Sequence, residues 1–128
     1  MRLLLDTVTL LWITLDDPRL SLAVRSAFGD PGNEIFLSVV STWEIAVKYA
    51  LGKLALPEPP ATFIPSRRAR YGIRQLPLEE ESALWVVRLP RLHADPFDRM
   101  LVCQAIVNGM AILTPDPLIQ QYAVRTVW

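Results

Sequence analysis

Short apolar runs alternate along the chain with longer segments in which apolar residues recur at helical spacing. The runs RLLLD, EIFLS and AILT have the length and composition of strands that are buried on both faces of a sheet. Several longer segments carry capping residues at their starts and glycines near their ends, which is typical of helices. The pattern predicts strands over residues 2–6, 34–38, 73–78, 111–114 and 124–128, and helices over 7–15, 22–30, 38–52, 66–71, 79–89, 95–109 and 116–123.

The alternation of strands and helices continues from one end of the chain to the other, with no internal repeat. It predicts an α/β fold, namely a three-layer α/β/α sandwich with a mainly parallel central sheet, in one domain over residues 1–128. Ligands of such folds bind outside the carboxyl ends of the strands. Residues that directly follow predicted strands are therefore the first candidates for chemistry.

Composition narrows the class of protein only slightly. Thirteen basic and thirteen acidic residues cancel, so the whole-chain charge predicts no partner of either sign. The only lysines are Lys48 and Lys53. One segment, residues 67–74, is locally basic, and all of its basic residues are arginines. A single cysteine, Cys103, excludes an internal disulfide framework. The chain shows neither a clean signal peptide nor a membrane span, and we expect a soluble cytoplasmic protein. The basic segment consists of Arg67, Arg68, Arg70 and Arg74.

Four acidic residues from separate segments are predicted to meet at one edge of the sheet. Asp6 ends the first strand, Asp116 follows the fourth, Asp98 lies in the first turn of a helix, and Glu44 lies within another helix. Clustered carboxylates repel one another unless a cation neutralises them, and a cluster of oxygen ligands suits Mg²⁺ or Mn²⁺. The residues alone therefore favour metal-assisted phosphodiester hydrolysis.

Each of these acids also has a purely structural interpretation. Asp6 and Asp116 could cap the helices that follow them, and Thr7 is another candidate N-cap. Asp95 and Asp98 flank Pro96 in a pattern that resembles a capping box. The residue four positions after Glu44 is a lysine, with which it could form a helix salt bridge.

Other catalytic classes fit the sequence less well. His93 is the only histidine, so a multi-histidine zinc site is excluded, and this residue either orients the loop before Asp95 or is exposed. The chain contains no G-x-S-x-G nucleophile motif and no G-x-x-x-x-G-K-[ST] phosphate-binding loop. Hydrolase classes that depend on these motifs are therefore not supported.

Four stretches of the chain carry a family resemblance, namely LLLDTVTLLWITLDDPRLS, LSVVSTWEIAVKYALGKLALP, LPLEEESALWVVRLPRLHADPFDRMLVCQAIVNGMAILTPDP and the short ending YAVRTVW. They resemble the PIN domain, and more narrowly the VapC-type toxins of bacterial toxin–antitoxin pairs. The resemblance extends nearly from end to end and is weakest over residues 58–73. It implies an α/β/α sandwich and a Mg²⁺- or Mn²⁺-dependent endoribonuclease that leaves a 5′-phosphate and a 3′-hydroxyl.

The resemblance also implies roles for individual residues. Asp6, Glu44 and Asp98 would be the metal-binding and catalytic acids, supported by Asp116, with Asp95 ranked below Asp98 as a ligand. The implied partners are RNA, such as tRNA or another structured RNA, a VapB-type antitoxin and a second copy of the chain. Supporting roles would fall to Thr7 and Thr114 as hydrogen-bond donors, to Arg99 near a carboxylate or phosphate or in a surface salt bridge, and to Arg67, Arg68, Arg70 and Arg74 along the RNA backbone.

Two departures from the family pattern leave alternatives open. Val8 stands where relatives commonly have histidine in D-T-H, and Pro115 stands where they have arginine in T-R-D. A haloacid-dehalogenase-like phosphatase would need a second acid two positions after Asp6, where Val8 stands. A PIN-like binding module that no longer cuts RNA is the main alternative to a nuclease. Trp12, Trp43 and Trp85 could line a partner groove, although their helical spacing favours the core.

Overall fold

A five-stranded, wholly parallel sheet runs through the molecule, and helices cover both of its faces. The computed structural model describes all residues, 1–128. None of its helices is both long and apolar enough to cross a membrane. In chain order the elements are β1 (Arg2–Leu5), α1 (Thr7–Thr14), α2 (Leu22–Gly29), β2 (Glu34–Ser38), α3 (Val39–Ala50), α4 (Pro60–Tyr71), β3 (Arg74–Leu76), α5 (Glu80–Trp85), α6 (Pro96–Asn108), β4 (Ala111–Leu113), α7 (Pro117–Gln120) and β5 (Thr126–Val127).

Alternate residues of the strands pack into two separate cores, one on each face of the sheet. On β1, Leu3 and Leu5 contact the core that α1, α2 and α4 cover. Leu4 lies between them in sequence and packs on the opposite face, beneath α6 and α7. Because both faces are covered, the inner strands β1, β2 and β4 are apolar at most positions. The predicted three-layer α/β/α sandwich with a parallel sheet is therefore confirmed.

The strand order β3-β2-β1-β4-β5 places β1 at the centre of the sheet. The chain builds outwards from β1 through β2 to β3, and then crosses to the other side of β1 to form β4 and β5. Leu3 pairs with Ile35 on one side and with Ala111 on the other. The order reverses at β1, and this point of an open parallel sheet forms a crevice at the carboxyl ends of the strands.

Helix ends follow the polar residues that mark them in the sequence. The side chains of Ser21, Ser38, Asp95 and Asp116 cap α2, α3, α6 and α7 by accepting hydrogen bonds from backbone N–H groups. Of the two candidate N-caps for the first helix, Asp6 and Thr7, the structure selects Asp6. The Asp6 carboxylate accepts the Thr7 backbone N–H at 2.7 Å, and Thr7 is already helical.

Several elements differ in length from those that the sequence pattern predicts. The third strand ends at Leu76 rather than at residue 78, since Pro77 has no N–H group for the ladder. The helix predicted over 79–89 ends at Trp85 and continues as turns, in which N–H groups bond to carbonyls three residues back. The helix predicted over 116–123 is the single turn α7, and the basic helix predicted over 66–71 begins already at Pro60.

The orientation of α3 differs from the one that the helical spacing of Trp43 favoured, which placed this residue in the core. Trp43 is 61% exposed, and the face that packs inwards contains Val40, Ser41, Glu44 and Ile45. The Trp43 ring packs edge-on against the Phe97 ring with centroids 4.9 Å apart. This arrangement turns a glutamate inwards and a tryptophan outwards, which is the reverse of what hydrophobicity alone predicts. Trp12 and Trp85, by contrast, pack against the two cores.

Candidate functional site

An open cleft lies at the carboxyl edge of the sheet and contains most of the acids that the sequence singles out. Its volume is about 380 Å³, and it is bordered by β1, α1, α3 and the starts of α6 and α7. It coincides with the reversal of strand order at β1, where parallel α/β folds bind ligands. Its charged lining residues are Asp6, Glu44, Lys48, Lys53, Asp95, Asp98 and Asp116.

Asp6 is the most buried acid of the cleft, with only 4% of its surface exposed. One carboxylate oxygen accepts the Thr7 N–H at 2.7 Å, and the other accepts the Thr114 hydroxyl at 2.7 Å. Burial raises the pKa of Asp6 to about 7, and the charges of Asp98 and Glu44 add to this rise although the hydrogen bonds oppose it. Without a neutralising cation, Asp6 is therefore half protonated near neutral pH.

Glu44 is 5% exposed and has a hydrogen-bond donor for each carboxylate oxygen. The Thr7 hydroxyl donates to Oε1 at 2.6 Å, and Lys48 forms an ion pair with Oε2 one helical turn away. The hydroxyl groups of Thr7 and Ser41 are also 2.9 Å apart. The sequence therefore places a buried carboxylate beside Asp6, with a lysine as its counter-charge.

Asp95 and Asp98 have different surroundings although they are three residues apart. Asp95 Oδ1 accepts the N–H groups of Phe97 and Asp98, at 2.9 Å and 3.0 Å, and so caps α6. Asp98 Oδ2 lies 3.2 Å from the His93 ring, while its Oδ1 accepts no hydrogen bond. Burial raises the pKa of Asp98 to about 6, the His93 bond opposes the rise, and the charges of Asp95, Asp116 and Glu44 add to it.

A hydrogen-bonded network that links Asp98 to His93, Tyr122 and Arg99 was not expected from the sequence. His93 is not exposed, because only 8% of its side chain is exposed and its ring contacts Asp98. Its Nδ1 lies 2.7 Å from the Tyr122 hydroxyl, which accepts Arg99 Nη1 at 3.1 Å. If Nε2–H donates to Asp98, then the Tyr122 hydroxyl donates to Nδ1, so both ring nitrogens of His93 have partners. Arg99 also donates to the Pro90 carbonyl at 2.9 Å and contacts no carboxylate.

Thr114 connects the fourth acid to the first. The Asp116 N–H donates to the Thr114 hydroxyl at 3.0 Å, and that hydroxyl donates to Asp6. Asp116 itself caps α7 by accepting the Leu118 N–H at 2.9 Å. Asp116 therefore borders the cleft from the strand next to β1, and one of its carboxylate oxygens has no protein donor.

The donor chemistry of the cleft suits a hard divalent cation, although the acids are not arranged as a finished ligand set. No three acidic, histidine or cysteine side chains form a preformed metal-binding group. The carboxylate oxygens of Asp6 and Glu44 accept hydrogen bonds from protein donors. The pKa values of Asp6 and Asp98 are raised, and further carboxylates line the same cleft. Carboxylate oxygens are the ligands that Mg²⁺ and Mn²⁺ prefer.

The four arginines of the basic segment do not line this cleft. Arg67 pairs with Glu58 at 3.0 Å and stacks on Phe63, while Arg70 stacks on Tyr71. Arg68 lines a separate shallow groove between α3 and α4, and Arg74 pairs with Glu34 at the amino end of β2. The basic residues that the fold does bring to the acids are the two lysines. The sequence pattern predicted the helix salt bridge between Glu44 and Lys48, which is confirmed, but it gave Lys53 no role.

The two positions that depart from the family pattern lie close to the acids. Val8 follows Thr7 on α1 and lines the cleft directly. Pro115 lies half-buried between Thr114 and Asp116. Neither residue supplies a hydrogen bond to the acids, so the cleft lacks the polar side chains that a histidine or an arginine would add there.

Known proteins resemble this chain in sequence and in fold. The sequence profile of the PIN domain matches residues 3–124. Ribonuclease VapC16 of Mycobacterium tuberculosis is 46% identical over 55 residues, which make up 43% of this chain and 39% of that relative. The sequence match therefore spans well under two thirds of the ribonuclease.

Solved structures extend the likeness in fold over nearly the whole chain. VapBC2 from Rickettsia felis, bound to a DNA fragment from its promoter, aligns with a TM-score of 0.75 and 13% identity. The alignment covers 99% of this chain and 98% of that one. DNA-bound VapBC from Salmonella typhimurium aligns with a TM-score of 0.73 and 16% identity, over 99% and 97% of the two chains.

Proposed function

Since this chain belongs to the PIN-domain family, we propose that it is a metal-dependent endoribonuclease that hydrolyses RNA phosphodiester bonds. One observation carries the proposal: Asp6, Glu44 and Asp98, together with Asp116, come from separate segments and line one cleft. The PIN domain and the ribonuclease name of the relative support RNA as the substrate class. We further propose that residues 1–128 act as one domain.

In this proposal the acids of the cleft hold one or two Mg²⁺ or Mn²⁺ ions. The cation, when bound, supplies the positive charge that activates water and offsets the charge of the phosphate during an in-line displacement. Thr7 and Thr114 fix the orientation of Glu44 and Asp6. His93 holds Oδ2 of Asp98 and leaves Oδ1 free to bind in the cleft.

The PIN domain and its relatives also support a place for the chain in a toxin–antitoxin pair. We propose that a VapB-type antitoxin neutralises it, because two of the structures with the same fold are VapBC assemblies. A homodimer and a cytoplasmic location belong to the same proposal, as does a structured RNA such as tRNA as the target. Exposed apolar residues such as Trp43 and Val87 are suitable for contact with such partners.

A PIN-like binding module without nuclease activity is the second candidate function. Val8 and Pro115 favour it, because Val8 lines the cleft, Pro115 directly precedes Asp116, and neither side chain offers a polar group to a substrate. The four acids favour the nuclease, because a module without a cation would keep buried carboxylates at a cost in stability.

Cleavage of total cellular RNA by the purified chain, freed of antitoxin, distinguishes these functions. We expect discrete fragments with Mg²⁺ or Mn²⁺ and none with EDTA, since the proposed chemistry needs a cation in the cleft. Sequencing of the fragment ends would identify the cleaved RNA and the bond that is broken.

The control is a Glu44→Gln variant that is purified in the same way, so that a contaminating nuclease would appear in both samples. This variant keeps the shape of the side chain and removes its charge. Absence of fragments from a folded wild-type sample with either cation would contradict the nuclease and favour the binding module.

A further inference from the structure

The chain has only two lysines, and the fold brings both of them to the acidic cleft. Eleven of its thirteen basic residues are arginines, and none of these lines the cleft. Five carboxylates border the same space, so a polyanion that enters it meets strong repulsion. Lys48 and Lys53 are therefore the only side chains of the cleft with a permanent positive charge.

The end of α3 fixes the two lysines relative to one another. Gly52 has a φ of +70°, which the left-handed turn at the helix end requires. The Lys53 N–H donates to the Lys48 carbonyl at 2.9 Å, and the Gly52 N–H donates to the Tyr49 carbonyl at 3.0 Å. These two bonds form a Schellman motif, which folds the chain back over the last turn. Lys53 is thereby held beside the helical turn that carries Lys48.

The ion pair with Glu44 does not account for both lysines. Lys48 uses one of its three N–H donors on Glu44 and is 45% exposed, so donors remain on the open side of the cleft. Asp95 and Asp98 line the same cleft as Lys48, so its ammonium group lies among the acids. Lys53 is exposed and forms no ion pair, although it lines a cleft with five carboxylates.

We propose that Lys48 and Lys53 bind the phosphodiester backbone of the RNA strand at the mouth of the acidic cleft. This inference rests on the proposed nuclease function and assigns the RNA-backbone contact to lysines rather than to the arginines of residues 67–74. A lysine is a compact point charge on a flexible stem, and it binds phosphate without a fixed approach direction. The two ammonium groups offset part of the carboxylate charge and hold the strand over the acids.

The test is the binding of a fluorescein-labelled single-stranded RNA, measured by anisotropy at about 50 to 200 mM KCl with Mg²⁺ present. Every protein in this series carries Asp98→Asn, so that the RNA remains intact. Adding Lys53→Met should weaken binding about tenfold at low salt. The slope of log Kd against log [KCl] should fall by about 0.7 for each phosphate contact that is lost. Lys48→Met with Lys53→Met should roughly double that change in slope.

Matched controls separate a loss of phosphate binding from a loss of structure. Lys53→Arg keeps the positive charge and should keep the salt slope. Arg74→Met removes an exposed charge at the amino end of the sheet and should leave the slope unchanged. Lys53→Met breaks no ion pair, so it should fold even if the loss of Lys48 destabilises buried Glu44. With Asp98 intact, Lys53→Met should raise KM more than it lowers kcat.

The outcomes for the lysines and for the nuclease are distinct. An unchanged salt slope in Lys53→Met and in the double variant would overturn the lysine assignment, even if the wild-type chain cuts RNA. RNA binding that depends on both lysines, from a wild-type chain that does not cut, would support the assignment and contradict the nuclease. Absence of RNA binding by every protein would overturn both.

Discussion

Replacing Asp98 with Asn is expected to lower the rate of RNA cleavage on the order of 10³-fold while leaving the fold intact. Asn at this position can still accept the His93 hydrogen bond. The start of α6 and the hydrogen bonds among His93, Tyr122 and Arg99 should therefore be kept. What is lost is the negative charge on a group with one carboxylate oxygen free of protein donors. The measurement is the initial rate on the RNA identified from the total pool, with circular dichroism as the check on folding.

Asp95→Asn is the matched control, because it removes the same charge from the same cleft three residues away. Asn is as good an N-cap as Asp, and the bonds to the Phe97 and Asp98 N–H groups can form with its side-chain oxygen. We expect this variant to keep its activity within about tenfold. Equal losses in both variants would make Asp95 a ligand as well as a cap, and full activity of Asp98→Asn would refute the assignment of Asp98.

Replacing Asp6 with Asn is expected to stabilise the metal-free protein at pH 8 by about 2 to 4 kcal/mol while abolishing cleavage. The pKa of Asp6 is about 7 in the folded chain and near 3.8 in the unfolded chain. Between these values the folded state holds a proton that the unfolded state has released, so the stability from this group falls as pH rises. It is fully present below about pH 4 and lost above about pH 7.

The free energy of unfolding in EDTA, measured with denaturant across this range, checks the prediction. The advantage of Asp6→Asn should be absent near pH 4 and should grow until about pH 7. Asp116→Asn is the control, because Asp116 is half-buried at the same cleft and Asn caps α7 equally well. Its free energy of unfolding should stay within about 0.5 kcal/mol of wild type at every pH. An advantage of Asp6→Asn that does not change with pH would contradict the raised pKa of Asp6.

The sheet and the acids were predictable because local patterns determine them. The strands β1, β2 and β4 are short apolar runs whose alternate residues are buried on opposite faces of the sheet. Such runs are recognisable in the sequence without knowledge of the strands that pair with them. Asp6 and Asp116 follow β1 and β4 closely, so parallel pairing brings them to the same edge. The end of α5 was not predictable in this way, because the same residue types suit an α-helix and a series of turns. The two differ only in whether each N–H bonds to the carbonyl four or three residues back.

The parts of the site that were missed depend on contacts between distant segments. His93 meets Asp98 and Tyr122 only because the loop before α6 folds against the segment that follows α7, and nothing in the local sequence encodes that contact. The inward face of α3 was assigned from hydrophobicity, whereas Thr7 and Lys48 stabilise Glu44 inside and leave Trp43 outside. The arginines of residues 67–74 were proposed as RNA contacts because they lie close together in sequence. Their spacing in sequence does not determine which edge of the sheet they reach.

The two outer strands of the sheet are very short, since β3 has three residues and β5 has two. An outer strand normally exposes a row of unpaired backbone groups that another chain can extend into a continuous sheet. Edges of this length offer an added strand too few hydrogen bonds to hold it, which protects a chain with 52% hydrophobic residues against edge-to-edge aggregation. A protein that covers this one must therefore pack against its helices, and recognition then depends on side-chain shape rather than on backbone pairing.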